Sequence, residues 1–403
     1  MNDINFEDII EDEETDLQAD KEKFNQAVIW GTDWTTETIA RQLEKGTIDL
    51  NPTFQRRDAW SNGDKSKLIE SLILGLPVPP IILAESKEKK NSYIVIDGKQ
   101  RLLSIRRFFS ADDNSENSFR KLRLSGLDIL SELNGMTYAD IEREENDYIA
   151  NLENQSIRTI VIKNWPDEAF LYTVFLRLNT GSKKLSSQEL RQALKPGPFL
   201  NYLDDATAKS DAMMKMLNNK TADSRMKDIE LALRYFSFKF NIEEYKGNLK
   251  NFLDDTCEKL NNRWDQDSEL LKKEFEQLEK AIEFSYDIME TNSPFSRYTK
   301  GKSNNRFNRC IFELFSYYFS DKDIRQMVLN NKKKFFDLFV ALNDDSEFVS
   351  AISDTAKETK RVCTRFVKFA NLLDEIQGKL ECKVKIQFLA LKEDGIEVQV
   401  FVK

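Results

Sequence analysis

The segment that decides the fold is Tyr93-Ile94-Val95-Ile96-Asp97-Gly98-Lys99-Gln100-Arg101-Leu102. Its first four residues predict a short buried strand, and the apolar spacing after Gly98 predicts a helix that follows directly. A strand that ends in Asp-Gly and opens a helix brings backbone N–H donors and the positive end of the helix dipole to one point, where anions bind. Arg101 adds a planar guanidinium suited to bidentate contacts with phosphate.

The same residues also have a purely structural interpretation. Asp97 and Gln100 are spaced as in a capping box, in which the first side chain accepts from the helix backbone and the second reaches back. Both interpretations stay open at this point, because a capped helix end still presents N–H donors to a ligand.

Outward from this segment, the apolar pattern divides the chain into four parts. Residues 1–26 are an acidic tail that we predict to be disordered, and residues 27–165 alternate short strands and helices as in an α+β domain. From residue 167 the apolar spacing changes to 3.6, which predicts a mostly α-helical domain over 166–378. Alternating runs on both sides of Lys392-Glu393-Asp394-Gly395 predict a short C-terminal β-hairpin over 379–403. The predicted helices include 198–217, 306–319 and 322–342.

A second segment with candidate site residues is the one around Gln55 and Arg56. These residues stand between Phe54 and Trp60, and arginines beside aromatic rings can bind phosphate and stack on a base. The alternative is an amphipathic surface loop whose aromatic rings pack inward. Taken alone, the segment fits the loop better.

A third segment is the helix–helix turn that contains Arg177, Asn179 and Thr180. Ser186 and Glu189 form a capping box at the start of the following helix, which gives Glu189 a structural role. That role does not account for the polar cluster before it. The three clustered side chains are therefore candidates for a phosphate or metal site.

The fourth group is basic. Lys300, Lys302, Arg306 and Arg309 lie close together in sequence and are the best candidates for contact with DNA, which is bound through neutralisation of its phosphates. The alternative is a solvated turn. The net charge of −9 argues against a general nucleic-acid coat but not against a local basic surface.

Composition excludes several classes of function. The 403 residues contain no histidine, which eliminates Ser-His-Asp and Cys-His catalysis, histidine-ligated zinc, and nucleases of the HNH and HKD types. The four cysteines lie far apart without a C-x-x-C pair, so neither a disulfide framework nor a zinc knuckle is expected. No apolar run is long enough to span a membrane, and the N-terminus is acidic, unlike a signal peptide. We therefore expect a cytoplasmic protein.

Four motifs occur here as an ordered set. They are Pro52-x-Phe54-Gln55-Arg56-x3-Trp60, Leu76-Pro77-Val78-Pro79-Pro80, Ile96-Asp97-Gly98-x-Gln100-Arg101, and Arg177-Leu178-Asn179-Thr180-Gly181 with Leu185-Ser186-x2-Glu189-Leu190-Arg191. Together they resemble the N-terminal domain of the GmrSD type IV restriction endonucleases. Later segments fit the helical part of that family: Met226-Lys227-Asp228-Ile229-Glu230-x3-Arg234 and Asn305-Arg306-Phe307-Asn308. The resemblance covers residues 28–375.

The resemblance implies a ParB/sulfiredoxin-like α+β core with helices attached. It also implies nucleoside triphosphate binding and hydrolysis, linked to recognition or cutting of foreign or modified DNA in phage defence. The implied site is lined by Gln55, Arg56, Asp97, Gly98, Gln100 and Arg101, and is faced by Arg177, Asn179 and Thr180. Lys99 departs from the family, which usually has glutamine there. Full-length restriction members carry a C-terminal HNH nuclease domain, which a chain without histidine does not fit.

We therefore expect an NTP-binding and NTP-hydrolysing sensor or regulatory subunit of a restriction or anti-phage system, with DNA and a nuclease or effector protein as partners. Catalytic roles are predicted for Asp97 and Arg101, phosphate contacts for Arg56, Lys99 and Gly98, and Mg²⁺ as the metal. Two alternatives stay open: a metal-dependent ParB-like DNA nuclease, and a non-catalytic module that binds DNA or recruits partners through the C-terminal hairpin. Whether the chain forms a homo-oligomer is also open.

Overall fold

The computed structural model describes residues 26–48, 50, 60–87, 89–110, 121–144, 146–178, 186–353, 356–378, 384–392 and 395–401. The chain separates into two units, the first ending at Leu194 and the second beginning at Lys195. The predicted α+β class is confirmed, with a sheet in the N-terminal part, helices after it and a hairpin at the C-terminal end. In the described part, no helix is long and apolar enough to cross a membrane.

The first unit is built on a four-stranded sheet with the order β1-β4-β2-β3. The outer strand β1 pairs antiparallel with β4, β4 runs parallel to β2, and β2 pairs antiparallel with β3. The elements in chain order are β1 Val28–Thr35, α1 Thr36–Glu44, α2 Asn62–Ile73, β2 Ile81–Glu85, β3 Tyr93–Asp97, α3 Lys99–Phe108, a 3₁₀ turn Ser131–Leu133, α4 Tyr138–Glu142, α5 Tyr148–Asn154, β4 Ser156–Lys163, α6 Glu168–Leu178 and α7 Ser187–Leu194.

Side chains placed at helix starts explain where several of these helices begin. The Thr35 hydroxyl accepts from the backbone N–H of Thr38 at 3.2 Å and caps α1. Ser61 and Asp64 form a complete capping box at the start of α2. The strand predicted over residues 93–96 and the helix predicted after Gly98 are both confirmed.

Helices α6 and α7 cover one face of the sheet. The apolar cluster between them joins Ile82, Ile96 and Ile162 of the strands to side chains of both helices. The predicted division at residue 165 assigned these two helices to the helical part. The structure places them with the sheet, because their apolar faces are buried against it. The helical contributors are Phe170, Leu171, Phe175 and Leu190.

The second unit is mostly helical and contains two hairpins. Its elements are α8 Pro198–Lys209, α9 Asp211–Met216, α10 Lys227–Asn241, a 3₁₀ turn Ile242–Glu244, α11 Leu249–Asn262, α12 Trp264–Met289, β5 Ser296–Thr299, β6 Lys302–Phe307, α13 Arg309–Phe319, α14 Lys322–Asn330, α15 Lys332–Leu342, α16 Ser346–Ala351, α17 Thr359–Gln377, β7 Ile386–Lys392 and β8 Gly395–Phe401. The predicted C-terminal hairpin is confirmed, and Ile386, Leu389 and Ile396 bury its apolar side.

Three predicted helices differ in the structure. The helix predicted over 198–217 is interrupted at Ser210, whose hydroxyl caps a second helix by accepting from the N–H of Met213. The helix predicted over 322–342 is likewise interrupted at Asn331. The helix predicted over 306–319 begins only at Arg309, because β6 extends to Phe307 and Asn308 provides the N-cap.

A buried ionic cluster ties three helices of the second unit together. The Glu313 carboxylate of α13 accepts from Arg234 of α10 at 2.7 Å and from Arg365 of α17 at 2.6 Å. All three side chains are almost fully buried. Because a buried charge is tolerated only when it is paired, these residues fix the helices relative to one another.

Candidate functional site

The candidate site is the junction between β3 and α3. Strand β3 ends at Asp97, Gly98 occupies the N-cap position, and the helix begins at Lys99. The alternative in which Asp97 caps this helix is therefore wrong, and the N-cap residue contributes no side-chain hydrogen bond. The first turn of a helix lacks intrahelical acceptors for its N–H groups and carries the positive end of the dipole. No acidic residue lies in that first turn.

Gly98 is required by the backbone. Its φ is +100°, in the region that favours glycine. A Cβ at this position would lie 3.2 Å from Cγ1 of Ile81 and 3.2 Å from Nη2 of Arg101. The glycine thus allows the start of β2 and the guanidinium to approach the backbone closely.

Arg101 closes the junction from the helix side. Its Nη2 donates to Oδ2 of Asp97 at 2.8 Å and to the carbonyl of Pro80 at 3.0 Å. The Arg101 side chain is 13% exposed and that of Asp97 is 37% exposed. The Nε of Arg101 is buried and has no hydrogen-bond partner among the described residues.

The contacts of Lys99 argue against a role as a phosphate ligand. Its Nζ donates to Oε1 of Glu189 at 2.9 Å, and both side chains are about 95% buried, at 4% and 5% exposure. The other carboxylate oxygen of Glu189 accepts from the N–H of Ser186 at 2.7 Å, and the Ser186 hydroxyl accepts from the N–H of Glu189. The predicted capping box is thus confirmed, and Glu189 joins the start of α7 to the start of α3.

The structure brings five of the predicted site residues together: Asp97, Gly98, Lys99, Gln100 and Arg101. The predicted residue Arg177 is exposed in the last turn of α6. Four predicted residues lie outside the described part of the chain: Gln55, Arg56, Asn179 and Thr180.

The predicted DNA-binding residues belong to the second unit. Lys300, Lys302 and Arg306 are exposed on the β5–β6 hairpin. Arg309 is the first residue of α13, is 24% exposed, and has its Nε 3.8 Å from a carboxylate oxygen of Glu230. Three of the four cations are therefore available to a polyanion, whereas Arg309 is partly committed.

Sequence reasoning missed that Glu189 is the partner of Lys99. It identified Glu189 as a capping residue, and a capping carboxylate has a second oxygen that often finds another donor. No signal in the local sequence names that donor, because Lys99 is 90 positions away.

Carboxylates are sparse around the junction. Among the described residues, no group of three or more His, Cys, Asp or Glu side chains is arranged to hold a metal ion. The carboxylates of Asp97 and Glu189 lie at the helix start, and they already pair with Arg101 and Lys99. Three cysteines of the described part, Cys257, Cys310 and Cys363, are buried and form no disulfide bond.

The sheet, the two covering helices and the junction form one α+β domain. Residues 37–194 match the family model described as "GmrSD restriction endonuclease, N-terminal domain". This part of the chain is therefore a GmrSD N-terminal domain, as the motifs predicted. The match ends at the same residue as the first structural unit, Leu194.

The family name links residues 37–194 to restriction endonucleases, which implies a role related to restriction and defence. Neither the curated proteins nor the solved structures contain a match to the chain. The ParB/sulfiredoxin-like description of the core therefore stays a prediction.

Proposed function

We propose that the first unit binds a nucleoside triphosphate at the β3–α3 junction and hydrolyses it, and that this controls recognition of DNA in a restriction or defence system. The observation that carries the proposal is the start of α3, where Gly98 stands at the N-cap in a left-handed conformation beside the part-exposed Asp97. Lys99 and Arg101 lie in the first turn, and each is paired with a carboxylate. A helix end of this kind suits a phosphate group.

The phosphates would accept from the guanidinium of Arg101. Gly98 lets that guanidinium lie close against the backbone, because a side chain there would meet Ile81 and Arg101. Gln100, Gln55, Arg56, Arg177, Asn179 and Thr180 would line the remaining surface. Lys99 acts as a positioning residue, since its ammonium is held by Glu189.

The charges of the described junction cancel in pairs, Lys99 with Glu189 and Arg101 with Asp97. A triphosphate therefore needs further positive charge, for which Arg56 and Mg²⁺ are the proposed sources. Mg²⁺ at nucleotide sites is commonly held by one or two carboxylates together with the phosphates. Asp97 is the proposed carboxylate, and it would also orient the attacking water while Arg101 stabilises the charge that develops on the phosphate.

A nucleotide panel tests the first part of the proposal. Binding and hydrolysis of ATP, GTP, CTP and UTP would be compared with and without duplex DNA in Mg²⁺. Loss of the charged hydrogen bonds in Arg101→Ala should weaken nucleotide binding about 10- to 100-fold. Arg41→Ala serves as the control, because Arg41 lies in the same unit, is 70% exposed and pairs only with surface Glu37 among the contacts described.

The proposal fails if no nucleotide binds, or if Arg101→Ala binds and hydrolyses nucleotide as the unaltered protein does. Supercoiled plasmid included in the same reactions should stay intact. Nicking that requires Mg²⁺ and disappears in Asp97→Ala would replace the proposal with a metal-dependent nuclease.

We propose further that the β5–β6 hairpin of the second unit contacts the DNA backbone. Replacing Lys300, Lys302 and Arg306 together with alanine should lower DNA affinity and reduce the slope of log affinity against log salt by roughly three. The control replaces Lys332, Lys333 and Lys334 of the same unit, and it should leave the slope within one of its original value. Equal slopes in both triple variants would rule out the hairpin as the contact.

A further inference from the structure

A cavity of about 420 Å³ lies beside the β5–β6 hairpin, entirely within the second unit. Phe295, Ser296 and Asn305 line it from the hairpin side, and Lys215, Tyr286 and Asn292 line it from the surrounding helices and loop. A space of this size falls in the range of small-molecule sites, which combine apolar walls with a few polar groups. Nothing in the nucleotide proposal uses it.

The hydroxyl of Ser296 is an unusual feature of this lining. Ser296 is completely buried, and its Oγ has no hydrogen-bond partner among the described residues. Buried hydroxyl groups in proteins are nearly always paired, since an unpaired one loses its hydration without compensation. A ligand in the cavity with a polar edge would supply the missing partner.

The walls offer aromatic surface and hydrogen-bonding groups together. The rings of Tyr286 and Phe295 meet edge to face at 6.4 Å, and Phe295 is 2% exposed. Burial raises the pKa of Tyr286 to about 12, so its hydroxyl stays protonated at neutral pH. Asn292, at the exposed mouth, carries an amide that can donate and accept at once. Flat heterocycles with polar edges match this combination.

The charge around the cavity indicates where such a heterocycle would come from. The segment 293–309 contains Arg297, Lys300, Lys302, Arg306 and Arg309 and no Asp or Glu, in a chain whose net charge is −9. Ser296 of β5 and Asn305 of β6 line the cavity. Each is followed directly by an arginine, Arg297 and Arg306. A phosphate backbone bound along the hairpin therefore passes close to the cavity mouth.

We propose that the cavity receives one nucleobase turned out of a DNA duplex that is bound along the β5–β6 hairpin. This inference rests on the proposed DNA contact of the hairpin and adds to it the recognition of a single base. The base lies beside Tyr286, and its polar edge pairs with the Ser296 hydroxyl and the Asn292 amide. Lys215, whose Nζ lies 4.0 Å from the centre of the Tyr286 ring, neutralises the adjacent phosphate.

Mismatched duplexes test the proposal, because a base that is already unpaired costs less to turn out. Binding of a short duplex with one central mismatch would be compared by fluorescence anisotropy with binding of the fully paired duplex. The full-length protein should bind the mismatched duplex about tenfold more tightly or better. In Asn292→Trp the indole blocks the mouth, and this preference should disappear while binding of the paired duplex persists. The matched variant Asn292→Ala leaves the mouth open and should retain most of the preference.

Ser296→Ala separates a ligand role from a structural one. Removing an unpaired buried hydroxyl should leave folding stability unchanged or slightly higher. The mismatch preference should nevertheless fall severalfold.

The other possible outcomes distinguish failure of the base cavity from failure of the hairpin contact. Equal affinity of the unaltered protein for both duplexes overturns the base cavity and leaves the hairpin contact standing. A preference that survives Asn292→Trp also overturns it, since the base is then received elsewhere. Absence of any DNA binding overturns both this inference and the proposed hairpin contact.

Discussion

Replacing Lys99 with methionine tests the buried ion pair that joins the two helix starts of the first unit. The Lys99 ammonium and the Glu189 carboxylate are 2.9 Å apart and are 4% and 5% exposed. Methionine keeps an unbranched apolar chain of similar length but removes the charge. The Glu189 carboxylate would then remain buried without the ammonium of Lys99.

The expected magnitude follows from that separation and burial. At 2.9 Å and an effective dielectric constant of about 20, the attraction between the two charges is roughly 6 kcal/mol. Most of this offsets the loss of hydration of the two ions, so the intact pair contributes little net stability. Removing one partner leaves the other uncompensated and costs about 3–5 kcal/mol. We expect about 3 kcal/mol, because Glu189 still accepts from the N–H of Ser186.

Urea unfolding followed by tryptophan fluorescence measures this change in the free energy of unfolding. The double variant Lys99→Met with Glu189→Gln removes both charges of the pair and keeps an oxygen for Ser186, so it should recover most of the loss. Arg41→Met removes a cation from the exposed Glu37–Arg41 pair of the same unit and should change stability by less than about 0.5 kcal/mol. A loss below about 1 kcal/mol in Lys99→Met, or a double variant no more stable than the single one, would refute the reasoning.

Three further substitutions have defined outcomes. Gly98→Ala should cost about 1–3 kcal/mol in urea unfolding and weaken nucleotide binding, because φ is +100° and the new Cβ would press on Ile81; unchanged stability would contradict the left-handed N-cap. Asn261→Ala should cost about 0.5–2 kcal/mol, since its Oδ1 accepts from the N–H groups of Phe199 and Leu200 at the start of α8; Asn261→Asp, which keeps the acceptor, should stay near the original stability. A hydrogen bond from Lys368 lowers the pKa of Asp345, so the stability that this carboxylate adds is present above about pH 4 and is lost as the pH falls through the lowered pKa. Asp345→Asn should therefore flatten the acid limb of the stability profile, and an identical limb in both proteins would contradict this.

The parts of the first unit that could be predicted are those with local signals. Strands β2, β3 and β4 are short apolar or alternating runs, and the turn at Asp97-Gly98 marks the helix that follows. The capping box of Ser186 and Glu189 was likewise readable from its spacing. The short helices α4 and α5 were not predicted, because each has too few turns to show an apolar period.

The hairpin over residues 296–307 shows why the rest could not be predicted. Three residues of this hairpin have positive φ: Lys300, Gly301 and Asn305. Of these, only the glycine is a residue type from which a positive φ would be predicted. The strands are polar and lack alternation, so a helix starting at Arg306 fitted the apolar pattern as well. The side chains that hold them, such as Asn343, whose Oδ1 accepts from the N–H of Tyr298, come from distant positions in the chain.

The candidate site divides in the same way. Its backbone arrangement at Asp97-Gly98 was predicted from adjacent residues, whereas the partners of its charged side chains were not. Lys99 donates to Glu189 of α7, and Arg101 donates to the carbonyl of Pro80. Both contacts depend on the assembled sheet and α7, so neighbouring residues in the sequence do not predict them. Because its ammonium is paired with Glu189, Lys99 is expected to be a positioning residue instead of a phosphate ligand.

The acid-free hairpin segment 293–309 has a kinetic consequence. A chain with a net charge of −9 is repelled by DNA over most approaches, while five cations and no carboxylates in one segment attract it. Opposed long-range forces of this kind act as a torque that turns an incoming protein before any contact forms. Association would then be orientation-selective at low salt, and the selection would weaken as the Debye length shrinks below the separation at which the turning begins.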